Sequence, residues 1–304
     1  MKPALALLFA AGLAWSAAAA AQSLDLSRGG PISISAEEGI EWRQDLRVVV
    51  ARGPARAERG GVTIDAARLI ARYRGGPEPA AALPFGQPGP AGAGEASAGA
   101  TGGRSEIWRL EAEGGVRIRT ASETATAERA VYDMDQAVLV LSGGRELGLS
   151  TPQAVIRASE SLEYWTRRRL AVARGDATVT TPDGRSLRAD VLAAYLPPEG
   201  AAPPPPPAPG RPAPPGQGQL DRVELFGRVE IRTAEEVLRA DRGVYSAATG
   251  IARLSGNVRI TRGPHQVNGE EAVVDLNTGI SRLLGAPGGG RVQGLIAPTE
   301  GGRR

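Results

Sequence analysis

Polar and apolar residues alternate along most of this chain, which is the pattern of β-strands with one buried face. Ile64 and Ala66 flank the charged Asp65, and Leu187 and Ala189 flank a polar residue in the same way. Helical periodicity is not sustained anywhere after Ala21. The alternation therefore predicts an all-β chain.

The alternation is organised as a repeat of about thirty residues. Seven phrases lead to a small anchor residue: Ala36, Ala66, Ala127, Ala158, Ala189, Ala240 and Gly269. The residue number rises by 30 from Ala36 to Ala66 and by 31 from Ala127 to Ala158. A second phrase, an apolar run ending in Gly, follows each anchor, and its alternation continues beyond the Gly with the same parity. Each repeat is thus predicted to be a strand pair that bulges or bends at the Gly.

Two low-complexity stretches, 75–103 and 197–219, interrupt the repeat at equivalent turns and are predicted to be disordered insertions. Seven strand pairs and a closing segment, 291–298, give about fifteen strands. We predict one repetitive antiparallel β-jellyroll over 22–298 with open sheet edges, followed by a flexible tail, 299–304. Open edges template pairing with another chain, so we expect end-to-end association through the strand near Ile32–Ala36 and the segment Val292–Ile296.

The segment from Met1 to Ala21 resembles a secretory signal peptide. Met1 and Lys2 precede an uncharged apolar run, and Ala19-Ala20-Ala21 has the small-x-small pattern of a cleavage site. We predict cleavage before Gln22 and a periplasmic mature chain. A retained membrane anchor is the less favoured alternative, because much of the segment is weakly apolar alanine.

The amino-acid composition excludes several classes of function. Cysteine is absent, which excludes disulfides, thiol catalysis and Cys-ligated metals. The net charge of +3 comes from arginines dispersed among acidic residues, which is a poor footprint for nucleic acid. His265 is the only histidine and lies in a turn-like segment, so neither a metal site nor a hydrolase triad is predicted. We predict no cofactor.

Acidic residues follow five of the anchors and could suggest paired catalytic carboxylates. They are Glu37, Glu128, Asp190, Asp241 and Glu270. They recur once per repeat at solvent-facing parity, so we interpret them as structural. No catalytic residue is predicted.

The repeat resembles the LptA/OstA-like family of periplasmic lipopolysaccharide-transport proteins. The matching phrases are ISAEE (34–38), IDAAR (64–68), LRADV (187–191), LRADR (238–242), GVRI (115–118), GRVEI (227–231) and GNVRI (256–260). The resemblance implies a β-jellyroll that joins head to tail into a bridge between the membranes. It also implies three further partners: lipopolysaccharide, the inner-membrane lipopolysaccharide export complex and the outer-membrane lipopolysaccharide translocon. The two insertions and the alanine-rich repeats depart from the family pattern.

The parity of the strands predicts an apolar interior, and the resemblance makes lipopolysaccharide its ligand. The predicted lipid-binding residues are Ile34, Ile64, Val116, Ile118, Leu139, Leu141, Ile156, Val179, Val229, Ile231, Val258 and Ile260. Small interior residues either leave room for acyl chains or let two sheets pack without a cavity. The leading hypothesis is a lipopolysaccharide carrier and bridge. The alternative is a periplasmic β-scaffold that binds proteins through its sheet edges, and an envelope enzyme is the weakest option.

Overall fold

The computed structural model describes residues 32–74, 106–145, 147–198, 200–201, 220–275, 278, 280–285 and 292–295. The predicted signal peptide, most of both insertions and the tail lie outside these residues. The described part of the chain contains strands and no helix. The strands are β1 (Ser33–Ala36), β2 (Gly39–Arg43), β3 (Val48–Arg59), β4 (Val62–Arg74), β5 (Glu106–Arg119), β6 (Thr124–Asp133), β7 (Val138–Ser142), β8 (Gly148–Ser150), β9 (Val155–Arg157), β10 (Ser161–Trp165), β11 (Leu170–Thr180), β12 (Ser186–Tyr195), β13 (Arg222–Arg232), β14 (Glu236–Ser246), β15 (Ile251–Arg262), β16 (His265–Asp275), β17 (Ile280–Leu284) and β18 (Gln293–Leu295).

The strands group into two compact units. In the N-terminal unit (described residues 32–152 and 161–167), β1 and β2 both pair with β3. Strands β3 to β6 then pair in sequence order, β7 and β8 both pair with β6, and β10 pairs with β7. In the C-terminal unit (described residues 153–160 and 168–295), β9 pairs with β11, β11 to β16 pair in order, and β17 and β18 both pair with β16.

All of these pairings are antiparallel, which confirms the predicted class of an all-β, repetitive antiparallel β-jellyroll. The described residues form eighteen strands where about fifteen are predicted, because three predicted strands are each interrupted. The breaks separate β1 from β2, β7 from β8, and β9 from β10. At the break after β7, Gly143 and Gly144 both have positive φ, 71° and 87°.

Five of the long strands, β3, β5, β11, β13 and β15, bend at the glycine that the sequence singles out. Between β13 and β14, Phe226 faces Arg242 and Val229 faces Ala240, so two residues of β13 oppose one of β14. The extra pair is Gly227 and Arg228, with φ of 73° and 44°. This two-against-one pairing is a β-bulge. The predicted bend is therefore confirmed. It divides the pairing into two parts: the A ladder contains the residues before the bulge glycines and their partners, and the B ladder contains the residues after those glycines and their partners.

Acidic residues after the anchors stabilise these bulges. The Arg228 Nε donates a hydrogen bond to the Asp190 Oδ1 at 2.7 Å. One repeat further along the C-terminal unit, the Asn257 Nδ2 donates to the Asp241 Oδ2 at 2.7 Å. Each acid thus binds the residue that follows the bulge glycine. The structural interpretation of these two recurring carboxylates is confirmed.

Small side chains fill the inner faces of the ladders. Ala177 and Ala189 face each other across β11 and β12 and are 0% and 1% exposed. Ala51 and Ala112 occupy inner positions of the N-terminal unit and are also buried. Because alanine is short, opposite inner faces must approach closely to exclude water. The low aromatic content of the chain, 4%, is consistent with this thin core.

Candidate functional site

One row of apolar side chains runs along the inner face of the B ladder next to its hairpin turns. We call it the turn row. In the C-terminal unit, cross-strand register places its members side by side: Ile156, Val179, Leu187, Ile231, Leu238, Ile260 and Val267. Leu238 and Ile260 are buried, and the other five are half-buried. This unit therefore leaves part of a continuous apolar row within reach of a ligand.

The turn row of the N-terminal unit is covered more completely. Its members in register are Ile34, Ala57, Ile64, Ile118, Ala125 and Leu149. Its four central residues are 1% to 3% exposed, whereas the row's two ends are half-buried. The same pattern of sequence thus yields a closed row in one unit and a partly open one in the other.

Of the twelve predicted lipid-contacting residues, the structure brings ten onto the B ladders. Seven lie in the turn rows: Ile34, Ile64, Ile118, Ile156, Val179, Ile231 and Ile260. Val116, Val229 and Val258 lie in the neighbouring inner row, facing the anchors, and are 1% to 2% exposed. Leu139 and Leu141 are also buried but belong to the A ladder, facing Tyr132 and Ala130. The predicted set therefore spans the inner faces of both ladders.

Three members of the C-terminal turn row are missing from the predicted set, namely Leu187, Leu238 and Val267. Leu187 stands opposite both Val179 and Ile231, at the centre of the half-buried part. All three precede an anchor by two positions, as Ile34, Ile64 and Ile156 do. This position, two residues before an anchor, is a sequence signal that could have added all three to the predicted lipid-contacting residues.

Both ladders of the N-terminal unit line a depression that leaves no room for a water molecule. Ile32, Ala57 and Ile64 line it on the B-ladder side, and Leu110 lines it from the A ladder. Pockets for small organic ligands typically measure about 300–1,000 Å³. The depression is too small for a long acyl chain, so the two inner faces must separate to admit one.

Burial shifts the pKa of one titratable group in each unit. Burial raises the pKa of the Tyr245 phenol, whose neighbours across the ladder are Val223 and Ala252. Burial likewise raises the pKa of Glu123, at the turn between β5 and β6. Desolvation of this kind is expected where apolar surface surrounds the group.

The outer face of the N-terminal unit carries arginine–carboxylate networks. Glu111, which is 4% exposed, accepts hydrogen bonds from Arg72 Nε at 3.0 Å, Arg109 Nε at 3.0 Å and Arg129 Nη2 at 2.7 Å. Burial by itself pushes the pKa of Glu111 up. The hydrogen bonds from Arg72 and Arg129 and the charge of Arg109 outweigh it, so this pKa lies below the usual range. Sequence reasoning missed this cluster, because its members come from three strands.

Potential metal ligands are dispersed over the described ranges. No group of three or more His, Cys, Asp or Glu side chains there is arranged to hold a metal ion. His265 lies at the start of β16, directly after the turn at Gly263, and is half-buried. Among the same residues, no helix has the length and apolar character needed to cross a bilayer. What the inner faces offer is apolar contact surface.

The C-terminal unit matches a known family. The family described as LptA/(LptD N-terminal domain) LPS transport protein matches residues 156–280. A solved structure is also similar, that of LptH, the LptA homologous periplasmic component of the conserved lipopolysaccharide transport device from Pseudomonas aeruginosa. It is 16% identical in sequence, covers 47% of this chain and 94% of its own, and aligns with a TM-score of 0.36. No curated protein matches the chain.

Proposed function

We propose that this chain, which belongs to the LptA/OstA-like family of lipopolysaccharide-transport proteins, is a non-enzymatic periplasmic carrier of lipopolysaccharide. The acyl chains of the lipopolysaccharide would lie along the turn row of the C-terminal unit. The observation that carries the proposal is the half-buried run Ile156, Val179, Leu187 and Ile231, which lies within the residues that match the family.

Apolar contact alone is sufficient for this role. Each CH₂ group removed from water contributes about 0.8 kcal/mol, so a single long acyl chain contributes on the order of 10 kcal/mol. A continuous row of apolar side chains lowers the free energy needed to move an acyl chain through water. This role needs no chemical step. Export by a signal peptide cleaved before Gln22 would deliver the chain to the compartment that the lipid must cross.

The open ends of the two units support a bridging role. On β2 of the N-terminal unit, Ile40 and Trp42 are 49% and 36% exposed. On β17 and β18 of the C-terminal unit, Ile280 and Leu295 are 52% and 68% exposed. Exposed apolar side chains on strands at the edge of a sheet favour pairing with another chain. We propose that these edges join copies of the chain head to tail and meet the inner-membrane export complex and the outer-membrane translocon.

A photo-crosslinking residue at Ile231 tests the lipid site. We expect it to capture lipopolysaccharide in a lipopolysaccharide-producing host, because Ile231 is half-buried in the turn row, opposite Leu187. The matched control is a crosslinker at Val244, which is 42% exposed on the outer face of the same unit, opposite Glu224. Equal lipid capture at both positions, or none at Ile231, would contradict the proposal.

The exposed edges also favour a second candidate, a β-scaffold that binds proteins through its sheet ends and carries no lipid. Lipid analysis of the protein purified without detergent separates the two functions. Co-purifying lipopolysaccharide, lost when Leu187 is replaced by Asp, supports the carrier. Lipid-free protein that still captures partners at its edges supports the scaffold.

End-to-end association has its own test. In sedimentation velocity, we expect the average mass of the mature chain to rise with concentration. The double variant I280K/L295K should weaken this association at least tenfold, because charged side chains on an edge strand oppose pairing. V244K, which places one lysine on the outer face of β14, should leave it unchanged. A wild-type chain that stays monomeric at every concentration would refute the edge contact.

A further inference from the structure

Two apolar side chains are exposed on the outer face of the A ladder in the C-terminal unit. Phe226 on β13 is 40% exposed, and Val244 on β14 is 42% exposed. Successive side chains of a strand point to opposite faces, and Leu225, which precedes Phe226, is buried on the inner face. Val244 lies two residues along β14 from Arg242, the residue opposite Phe226, so the two apolar side chains are diagonal neighbours. Together they form an exposed apolar contact surface.

Arginines alternate with apolar residues on this face. From β14 to β17, one row of outer-face residues in register consists of Val244, Arg253, Val273 and Arg282. Arg242 lies in the neighbouring row, and all three arginines are exposed. At the usual spacing between strands, the row spans about 14 Å. We call the following residues the outer patch: Phe226, Arg242, Val244, Arg253, Val273 and Arg282.

The arginine side chains of the outer patch make no hydrogen bond or ion pair within the part of the chain that the structure describes. Arg253 stands between Val244 and Val273, and Arg282 stands opposite Val273, so neither faces a carboxylate across the ladder. Arg242 faces an aromatic ring on one side and a serine on the other. The three guanidinium groups therefore keep their charge and their hydrogen-bond donors for a group outside the chain.

Two acidic residues lie next to the outer patch and leave its charge positive. Glu224 stands opposite Val244, but its carboxylate is paired with the Arg222 Nε at 2.8 Å. Glu271 is exposed and stands opposite Ser255, in the same row as Arg242. It brings one negative charge to a surface with three unpaired positive ones. The outer patch therefore combines net positive charge with exposed apolar surface.

The outer face of the A ladder in the N-terminal unit binds its arginines internally. The Arg72 Nε donates a hydrogen bond to the Glu111 Oε1 at 3.0 Å, and the Arg68 Nε donates to the Glu113 Oε2 at 3.1 Å. Val50, on the same face, is only 8% exposed. This sequence can thus build an outer face that is satisfied by its own residues, and the C-terminal unit departs from that arrangement.

We propose that the outer patch docks the C-terminal unit on the surface of a bilayer that contains anionic phospholipid. Guanidinium groups bind phosphate oxygens through paired hydrogen bonds and are less strongly hydrated than ammonium groups. Apolar side chains between them, here Phe226 and Val244, can enter the boundary between headgroups and acyl chains. A soluble acidic chain would neutralise the arginines but has no apolar layer beneath its charges. The outer patch uses the opposite face of the sheet from the turn row and is independent of the proposed function.

Co-sedimentation of the mature chain with phospholipid vesicles tests the proposal. We expect binding to vesicles of phosphatidylglycerol and phosphatidylcholine that weakens as salt is added, and binding at least about tenfold weaker to phosphatidylcholine alone. The double variant R253Q/R282Q should weaken binding to the anionic vesicles by about tenfold or more, because each arginine near an anionic surface strengthens binding about fivefold. Phe226→Ser should weaken it as well, by about threefold.

The matched control for charge is R56Q/R119Q. It removes the same two positive charges from the outer face of the N-terminal unit, where both arginines are paired with Asp65. Its binding to anionic vesicles should stay close to that of wild type. A melting curve of each variant shows whether the substitutions, all at exposed or half-buried side chains, preserve the fold.

A single fluorescent label reports which face meets the bilayer, because the chain has no cysteine of its own. An environment-sensitive fluorophore on Val244→Cys should shift to shorter wavelength when anionic vesicles are added. The same fluorophore on Ser122→Cys, at an exposed turn of the N-terminal unit, should not shift.

Three results would overturn the proposal. The first is equal binding to neutral and anionic vesicles, and the second is wild-type binding by R253Q/R282Q. The third is binding to soluble polyglutamate as tight as to vesicles, with no effect of Phe226→Ser, which would identify an acidic protein as the partner. Lipopolysaccharide capture at Ile231 is measured separately, so the loss of vesicle binding alone would refute the outer patch and leave the proposed function intact.

Discussion

Replacing Gly175 with alanine is expected to lower the free energy of unfolding by about 3 kcal/mol. Gly175 has a φ of 80° in the bulge of β11, a conformation that costs a residue with a Cβ about 1–2 kcal/mol. The added methyl group would lie 2.9 Å from the backbone nitrogen of Glu160 and 2.5 Å from the Ser159 Oγ. The hydroxyl can rotate away, but the nitrogen is fixed by its hydrogen bond to Arg174 O.

Gly184 provides the matched control in the same unit. Its φ is 84°, yet an added Cβ there would have no atom within 4 Å. Gly184→Ala should therefore show only the backbone strain, about 1 kcal/mol. Urea unfolding of both variants at neutral pH measures the difference. Equal losses would mean that the close approach of β11 to the 159–160 segment contributes nothing, and that the bulge glycine is required for its φ alone.

The bulge shows how far the sequence predicts this fold. Parity that continues across Gly227 predicts a strand that bends there, and the register between β13 and β14 confirms it. The sequence does not reveal why glycine is required, because Asp190 belongs to the preceding strand, β12, and its carboxylate occupies the space a Cβ would need. Pattern reasoning predicts which face a side chain takes, whereas contacts between distant strands need the register.

The candidate site is likewise predictable from the sequence only in part. Residues such as Ile64 and Ile118 are predicted to share an apolar face, and the structure places them opposite each other across β4 and β5. The sequence does not indicate that this row is closed while the row around Ile231 is half-buried. Exposure along a row depends on how the ladders pack around it, and the alternation of polar and apolar residues carries no information about that packing.

Glu111 is expected to be the ionisable group that contributes most to the stability of the N-terminal unit. It lies in the middle of β5 on the outer face, where Ile70 and Val131 flank it across the ladders. Three arginines surround its carboxylate, and their own side chains are 33% to 47% exposed. Removing one charge from a buried ion pair typically costs about 3–5 kcal/mol. Because these arginines keep part of their hydration, we expect a smaller loss, about 2 kcal/mol for Glu111→Gln at pH 7.

The pH dependence of this loss identifies its cause. The arginines hold the pKa of Glu111 below its unfolded value of 4.5. The stabilisation is therefore complete above that value and is lost as the pH falls through the lower pKa of the folded state. Urea unfolding of wild type and Glu111→Gln should differ by about 2 kcal/mol at pH 7 and converge as the pH falls below 4.5. Glu41→Gln, which removes an exposed carboxylate that also binds two arginines, Arg43 and Arg52, should change stability little at either pH. If the difference in unfolding free energy between wild type and Glu111→Gln persists unchanged in acid, the carboxylate acts through shape and packing rather than through its charge.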